Sequence, residues 1–204
     1  MLPFPTYDLS ESDTNAILEI YNTIRHQYDA DFELDFTFEF AAFEAFRYDT
    51  VTDFRPVISL KKSSGTAFLG FVEVSYGFGG GRFSSGRNSE RQPWGIALLK
   101  RDYGHIYIKP ETISEEFQEF LHPVALDFPD DVEFNRKMYV LANDELKARN
   151  LIDNKFCNRL MQLTCNDLIV EILGNRLIIG NKKVIPVGDG PGFADFAKWV
   201  SDWY

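Results

Sequence analysis

Cysteine is scarce in this sequence. Only Cys157 and Cys165 occur among 204 residues, and both fall on or beside one predicted helix. Scaffolds that depend on disulfide bonds carry many more cysteines for their length. We therefore expect two reduced thiols in a cytoplasmic protein.

Long apolar runs are also missing. A membrane-spanning helix needs about 20 predominantly apolar residues in succession, and no window of the sequence approaches that length. The first eight residues lack the basic patch followed by an apolar run that marks a secretory signal. The sequence therefore predicts a soluble chain without a membrane span.

Basic residues are in deficit. The chain carries 31 Asp and Glu against 21 Lys and Arg, which gives a formal net charge of -10. Nucleic-acid binding depends on Lys and Arg that neutralise phosphates, so this balance argues against a nucleic-acid partner. Nineteen Phe are present, so we expect a core built largely from aromatic rings.

Catalytic motifs are absent as well. His26 and His105 are isolated from any Ser or Cys in a recognisable nucleophile motif. His122 lies near the acidic residues Asp127 and Asp131, but the helical His pair of a metalloprotease and the spacing of a calcium loop are both missing. The sequence therefore predicts no catalytic residue, no metal ligand and no cofactor. A hydrolase-like site that combines His122 with Asp127 or Asp131 remains a third alternative.

The first half of the chain combines a helix with β-rich runs. Residues 10–28 have helical apolar spacing, with Ser10 or Ser12 available as the N-cap. Residues 32–46 begin with alternating Phe and predict a strand. The following β-rich runs are separated by turn residues, and they predict an antiparallel sheet: residues 56–61, 66–76, 94–100 and 105–109.

The second half predicts strand, helix, hairpin and helix. A short helix over 114–121 and an extended acidic connector over 127–133 lead into a strand over 137–142. Asn143 or Asp144 can cap one long helix that reaches Leu163. Residues 168–173 and 176–180 predict a hairpin, because the two residues between them are Gly and Asn.

The fold class that follows is α+β. We expect a mostly antiparallel sheet with an N-terminal helix, a central long helix after a strand, a C-terminal hairpin and a C-terminal helix. Residues 1–204 are long enough for a single domain with a substantial core. A subdivision into a sheet-rich part (1–125) and a strand-helix-hairpin-helix part (126–204) is the alternative.

Residues 134–180 resemble a family of uncharacterised bacterial proteins that is known as a domain of unknown function. In that family a Phe begins a β-run, an Asp opens a helix, and Ala-Arg-x-Leu-Leu continues it. The matching positions are Phe134, Asp144, Ala148, Arg149, Leu151 and Ile152. Family members often carry membrane helices ahead of the domain, which this chain lacks, and Asp153 stands where a Pro is expected. The resemblance implies an α+β domain and supplies no catalytic residue.

Residues 77–93 form a loop rich in Gly and Ser. Such a loop is either a hairpin tip or a surface that approaches a ligand closely. Arg82, Arg87 and Arg91 make it a basic island on an acidic protein, where guanidinium groups and backbone amides could hold a carboxylate or a phosphate. These three residues are the candidate site for a small anion.

The C-terminal segment predicts a helix that starts near Gly188. Phe196, Trp199 and Trp203 fall on a broad aromatic face of this helix. Most such faces close a core. If this face is exposed, its rings are candidate anchors for a protein partner.

Three functions follow from these observations. The first is a non-catalytic interaction or accessory domain that binds a protein partner. The alternative is a small-molecule or anion-binding module that uses the arginines of residues 77–93. The third is the hydrolase-like enzyme built around His122.

Overall fold

The computed structural model describes residues 4, 9–47, 49–77, 87–111, 124–128, 131–182 and 188–204. The α-helices in these ranges are α1 Glu11–Tyr28, α2 Val132–Lys137, α3 Glu145–Leu151, α4 Asn154–Met161 and α5 Asp189–Trp203. The strands are β1 Ala30–Glu33, β2 Thr50–Leu60, β3 Thr66–Gly77, β4 Arg87–Leu98, β5 His105–Pro110, β6 Val124–Ala125, β7 Met138–Ala142, β8 Ile169–Leu173 and β9 Arg176–Gly180.

These strands form one sheet in which every neighbouring pair is antiparallel. The strand order is β1-β2-β3-β4-β9-β8-β5-β7-β6. Strands β7, β8 and β9 from the second half of the chain therefore lie beside β4 and β5 from the first half. The predicted α+β class, with a mostly antiparallel sheet and a helix at each end of the chain, is confirmed.

One face of the sheet packs against the helices. Alternate residues of a strand point to the same face, and Leu69, Phe71 and Ala97 belong to the buried cluster that also contains Ile20 of α1 and Phe193 of α5. Helix α5 crosses β3, β4 and β9. Gly95 permits this approach, because a Cβ atom there would lie 2.6 Å from the carbonyl oxygen of Phe193.

The opposite face carries a second buried cluster. Val72, Trp94, Ile96 and Ile178 belong to it, together with rings from residues 36–46. The strand predicted for residues 32–46 is therefore wrong beyond Glu33, where β1 ends.

Residues 40–46 form two short 3-10 helices, Phe40–Ala42 and Glu44–Phe46. The amide of Phe43 donates to the carbonyl of Phe40, and the amide of Phe46 donates to the carbonyl of Phe43. Phe40, Phe43 and Phe46 are spaced by three residues, which matches one turn of a 3-10 helix. All three rings are buried.

The single helix predicted from residue 143 or 144 to 163 is also wrong. Helix α3 ends at Leu151 and α4 begins at Asn154. Between them Asp153 caps α4, since its carboxylate accepts the amides of Lys155 and Phe156. An Asp that caps a new helix competes with continuation of the old one.

The acidic connector predicted over 127–133 contains the start of a helix instead. Asp131 accepts the amide of Phe134 at 2.9 Å and so caps α2. The helix predicted over 114–121 lies outside the described residues. The N-cap Ser10 and the β8–β9 hairpin are confirmed, with Gly174 at φ +66° in its turn.

Candidate functional site

Residues 34–47, hereafter the aromatic segment, lie on the sheet face that is opposite the helices. Its rings contact one another and the sheet: the Phe46 and Trp94 centroids are 4.6 Å apart, and those of Phe36 and Phe68 are 4.4 Å apart. Aromatic pairs at these separations attract beyond simple burial of area. The segment is therefore packed onto the sheet by ring contacts.

Glu171, in strand β8, anchors the aromatic segment to the sheet. Its side chain is fully buried, and it accepts the amides of Glu44 and Ala45, each at 2.8 Å. His105 Nε2 lies 2.7 Å from the same carboxylate. A buried carboxylate is costly unless such partners satisfy it. Glu171 therefore accepts the amides of the first two residues of the second 3-10 helix.

A groove of about 510 Å³ opens between the start of the aromatic segment and the sheet. It is lined by Phe36, Thr37, Phe38, Glu39, Phe68, Leu98 and Arg176. Leu98 is the last residue of β4 and is 38% exposed, and Phe68 is half-buried. Apolar side chains thus remain open to solvent on a rigid sheet.

Arg176 forms the polar rim of this groove. It is paired with Leu98 across β9 and β4. Its guanidinium lies 5.9 Å from the Phe38 ring centroid and 5.6 Å from that of Phe43, as in cation-π contacts. The Glu39 carboxylate is 3.9 Å away, beyond hydrogen-bonding distance. The rings therefore hold a cation in place at the edge of an apolar groove.

The arginines predicted as an anion site are only partly described. Arg82 lies outside the described residues, and the structure describes the backbone of Arg87 but not its side chain. Strand β4 begins at Arg87, so the loop predicted over 77–93 is wrong for residues 87–93. Ligand binding by these arginines stays a prediction.

Arg91 lies inside strand β4 and is 4% exposed. Its guanidinium donates to the carbonyl of Arg55 at 2.7 Å. It also pairs with Glu73 at 3.3 Å and with Asp53 at 3.5 Å. Arg91 therefore joins three neighbouring strands.

The three aromatic residues predicted as a protein-interaction site occupy different environments. Phe196 is fully buried, Trp199 is partly buried against the same core, and Trp203 is 60% exposed. Lys155 lies over the Trp203 ring, 4.9 Å from its centroid. The structure therefore leaves Trp203 as the accessible ring of this set.

The hydrolase alternative stays a prediction. His122 lies outside the described residues, and Asp131 is the cap of α2.

Burial, with Asp131 and Asp153 nearby, raises the pKa of the Cys157 thiol to about 12. A thiol with so high a pKa is a poor nucleophile near neutral pH.

Metal-binding clusters and membrane spans are both missing from the described part of the chain. Within it, no group of three or more His, Cys, Asp or Glu side chains is placed to hold a metal ion. None of the helices described is long and apolar enough to cross a membrane.

The groove has no signature in the sequence. Phe68, Leu98 and Arg176 belong to three strands, and only strand pairing brings them together. The sequence does contain a signal for the anchor, since Glu171 is an acidic residue inside the otherwise apolar strand Ile169–Leu173. A carboxylate in such a strand indicates a buried partner.

Comparison with known proteins yields a likeness of fold. No family model matches the chain, and no curated protein matches it. Among solved structures, it is similar to the crystal structure of the mycobacterial trehalose monomycolate transport factor A, TtfA. The TM-score is 0.52 at 10% sequence identity, over 92% of this chain and 90% of that chain. At this identity the likeness concerns the fold alone, which this chain therefore shares in outline with TtfA.

Proposed function

We propose that this chain is a non-catalytic accessory protein that binds another protein through the groove beside the aromatic segment. The observation that carries the proposal is the open apolar surface formed by Phe68 and Leu98 under the rings of Phe36 and Phe38. Exposed apolar surface that forms a concave patch with a polar rim is typical of interaction sites.

The physical properties of the groove favour binding without rearrangement. Its floor is built on paired strands, and its wall is fixed by ring contacts and by the Glu171 anchor. A preformed surface loses little conformational entropy when a partner docks. Aromatic residues, including Phe, and Arg are also enriched in protein-binding interfaces.

The comparison with TtfA is compatible with this proposal. TtfA is a transport factor, and an accessory role for the present chain would be of the same general kind. Because the shared feature is the fold, the proposal depends on the groove and not on the name of the neighbour.

Site-specific photo-cross-linking tests the proposal in cells of the native host. A photoreactive amino acid replaces Leu98 in the groove, Trp203 on α5, or Leu146 on α3. Leu146 is the matched control, because it is an apolar side chain that is 73% exposed and lies outside the groove. The cross-linked products are separated by mass and identified.

We expect a discrete protein adduct from position 98 and none from position 146. An adduct from position 203 alone would keep the interaction function but move the surface to the C-terminal helix. Equal labelling from positions 98 and 146, or none from either 98 or 203, would contradict the proposal.

A further inference from the structure

Arg176 has hydrogen-bonding capacity that the described residues leave unused. A guanidinium carries five N–H donors, and that of Arg176 makes no hydrogen bond to any residue in the described part of the chain. Its neighbours there are the two Phe rings and the Glu39 carboxylate at 3.9 Å. Its side chain is 31% exposed, so N–H donors of the guanidinium are accessible from the groove.

The geometry around Arg176 favours a carboxylate. Ring contacts fix the guanidinium without occupying its N–H groups, which can then form paired hydrogen bonds to the two oxygens of one carboxylate. The Glu39 side chain is 76% exposed, so its long ion pair with Arg176 is weak. A partner carboxylate at hydrogen-bonding distance would form the contact that Glu39, at 3.9 Å, does not make.

The apolar part of the groove begins directly beside this cation. Leu98 is the cross-strand partner of Arg176, and Phe68 lies on the next strand. A ligand whose carboxylate contacts Arg176 would therefore place its adjoining atoms on Leu98 and Phe68. The site combines one cation with an apolar floor.

We propose that the groove binds an extended peptide segment of the partner in which an Asp or Glu lies two residues from a Leu or Phe, because alternate side chains of an extended chain share one face. This inference rests on the proposed function and names the chemistry that the groove recognises. The acidic side chain pairs with Arg176, and the apolar side chain packs on Phe68 and Leu98. A peptide fits better than a fatty acid, because the groove is open to solvent, whereas small-molecule sites enclose most of their ligand.

Two synthetic peptides provide the test. The first is acetyl-Ser-Leu-Gly-Asp-Gly-Phe-Ser-amide, in which the apolar residues and the Asp share one face of the extended chain, and the second replaces its Asp by Asn. Each is titrated into the ¹⁵N-labelled full chain at millimolar concentration, and the amide signals and the Arg176 Nε–Hε signal are followed by NMR. The protein variants are Arg176→Gln, which removes the charge, and Arg176→Lys, which keeps it but loses the planar fork.

We expect the Asp peptide to shift the signals of Leu98 and Arg176 and to bind about tenfold more tightly than the Asn peptide. Arg176→Gln abolishes this preference, and Arg176→Lys retains part of it. The inference is overturned if the native chain does not distinguish the two peptides, if Arg176→Gln keeps the preference, or if neither peptide shifts the groove signals.

Two other occupants are outcomes that would also overturn the inference. Sodium octanoate that shifts the groove signals more than the Asp peptide does would assign the site to a lipid carboxylate. A concentration-dependent dimer that Arg176→Gln abolishes would assign it to a second copy of this chain.

The result can be separated from the test of the proposed function. Suppose that the cross-link from position 98 persists in Arg176→Gln and that the native chain does not prefer the Asp peptide. These results would contradict the acidic-peptide inference and keep the interaction function. Selective peptide binding without any cross-linked partner would keep the acidic-peptide inference and contradict the interaction function in cells.

Discussion

Arg91 is a buried charge that links three neighbouring strands of the sheet. Its guanidinium contacts Asp53, Glu73 and the carbonyl of Arg55, all on neighbouring strands. Removing it leaves two carboxylates close together without their shared cation. We expect Arg91→Met to lower the free energy of unfolding by about 3 kcal/mol, measured by urea denaturation.

Arg55→Met is the matched control. Arg55 pairs with the same Asp53 at 2.9 Å, but its side chain is mostly exposed, so its loss should cost less than about 1 kcal/mol. Equal effects of the two substitutions would show that Arg91 does not hold the three strands together.

The role of Arg91 could not be predicted from its neighbours in the sequence. The Gly and Ser residues before it indicate a loop, while its partners lie 36 and 18 residues away along the chain. The same limit applies to Glu171, which is 127 residues from Glu44. Local spacing carries no information on contacts that only strand pairing creates.

At the scale of elements, Glu171 should determine whether the aromatic segment stays docked. In Glu171→Gln the new amide group directs N–H donors at a backbone amide that also donates. We expect a loss of about 2 kcal/mol in stability and faster amide hydrogen exchange over residues 40–47. Mass spectrometry of the exchanged peptides measures the second effect.

Glu39→Gln is the control for this experiment, because Glu39 belongs to the same segment but its side chain is exposed and makes only a long contact, to Arg176, among the described residues. It should leave exchange over residues 40–47 unchanged. Unaltered exchange in Glu171→Gln would mean that ring packing alone holds the segment and that Glu171 is not its anchor.

Elements with a strong local signal agree with their predictions, and elements set by tertiary contacts do not. Apolar periodicity and Ser10 identify α1, and the Gly-Asn turn identifies the β8–β9 hairpin. The Phe alternation of residues 32–40 is typical of a strand, but the rings at 40, 43 and 46 pack on the sheet through 3-10 turns. Tertiary packing overrides the period of two there.

At the scale of the whole molecule, Asp202 connects helix α5 to the turn between β2 and β3. Its carboxylate accepts the amide of Gly65 at 2.7 Å and lies 3.4 Å from Lys198 Nζ. Burial opposes ionisation of Asp202, but Ser63, the Gly65 amide and Lys198 together hold the pKa of its carboxyl below the ordinary value. The ionised form therefore stabilises the docked helix.

The lowered pKa of Asp202 determines how its contribution to the stability of the fold changes with pH. A carboxyl whose pKa is lower in the folded state stabilises the fold above its unfolded pKa, near pH ~4, and this contribution is lost as the pH falls through the folded pKa. We expect Asp202→Asn to lower the free energy of unfolding by about 1 kcal/mol at pH 7. The gap between the variant and the native chain should narrow as the pH falls below about 4.

Urea denaturation of both proteins between pH 7 and pH 3 measures that gap. A difference that stays constant over the whole range would show that ionisation of Asp202 contributes nothing to the docking of α5.

At the level of the whole molecule, the alternation of side chains between the two faces of the sheet determines the arrangement more than any motif does. Alternate residues of β3, β4 and β9 divide into one set that contacts the helices and another that faces the aromatic segment. The α+β class could be predicted from the order of helical and β-rich runs. The groove could not, because it lies where the aromatic segment stops covering the second face.

Binding of a partner protein through the groove is best tested by the cross-linking yield from position 98 relative to position 146 in cells of the native host. We expect a discrete partner adduct at 98 and none at 146, since Leu98 lies in the groove and Leu146 does not. Equal yields at the two positions would contradict it, because the groove would then contact other proteins no more than any exposed apolar side chain does.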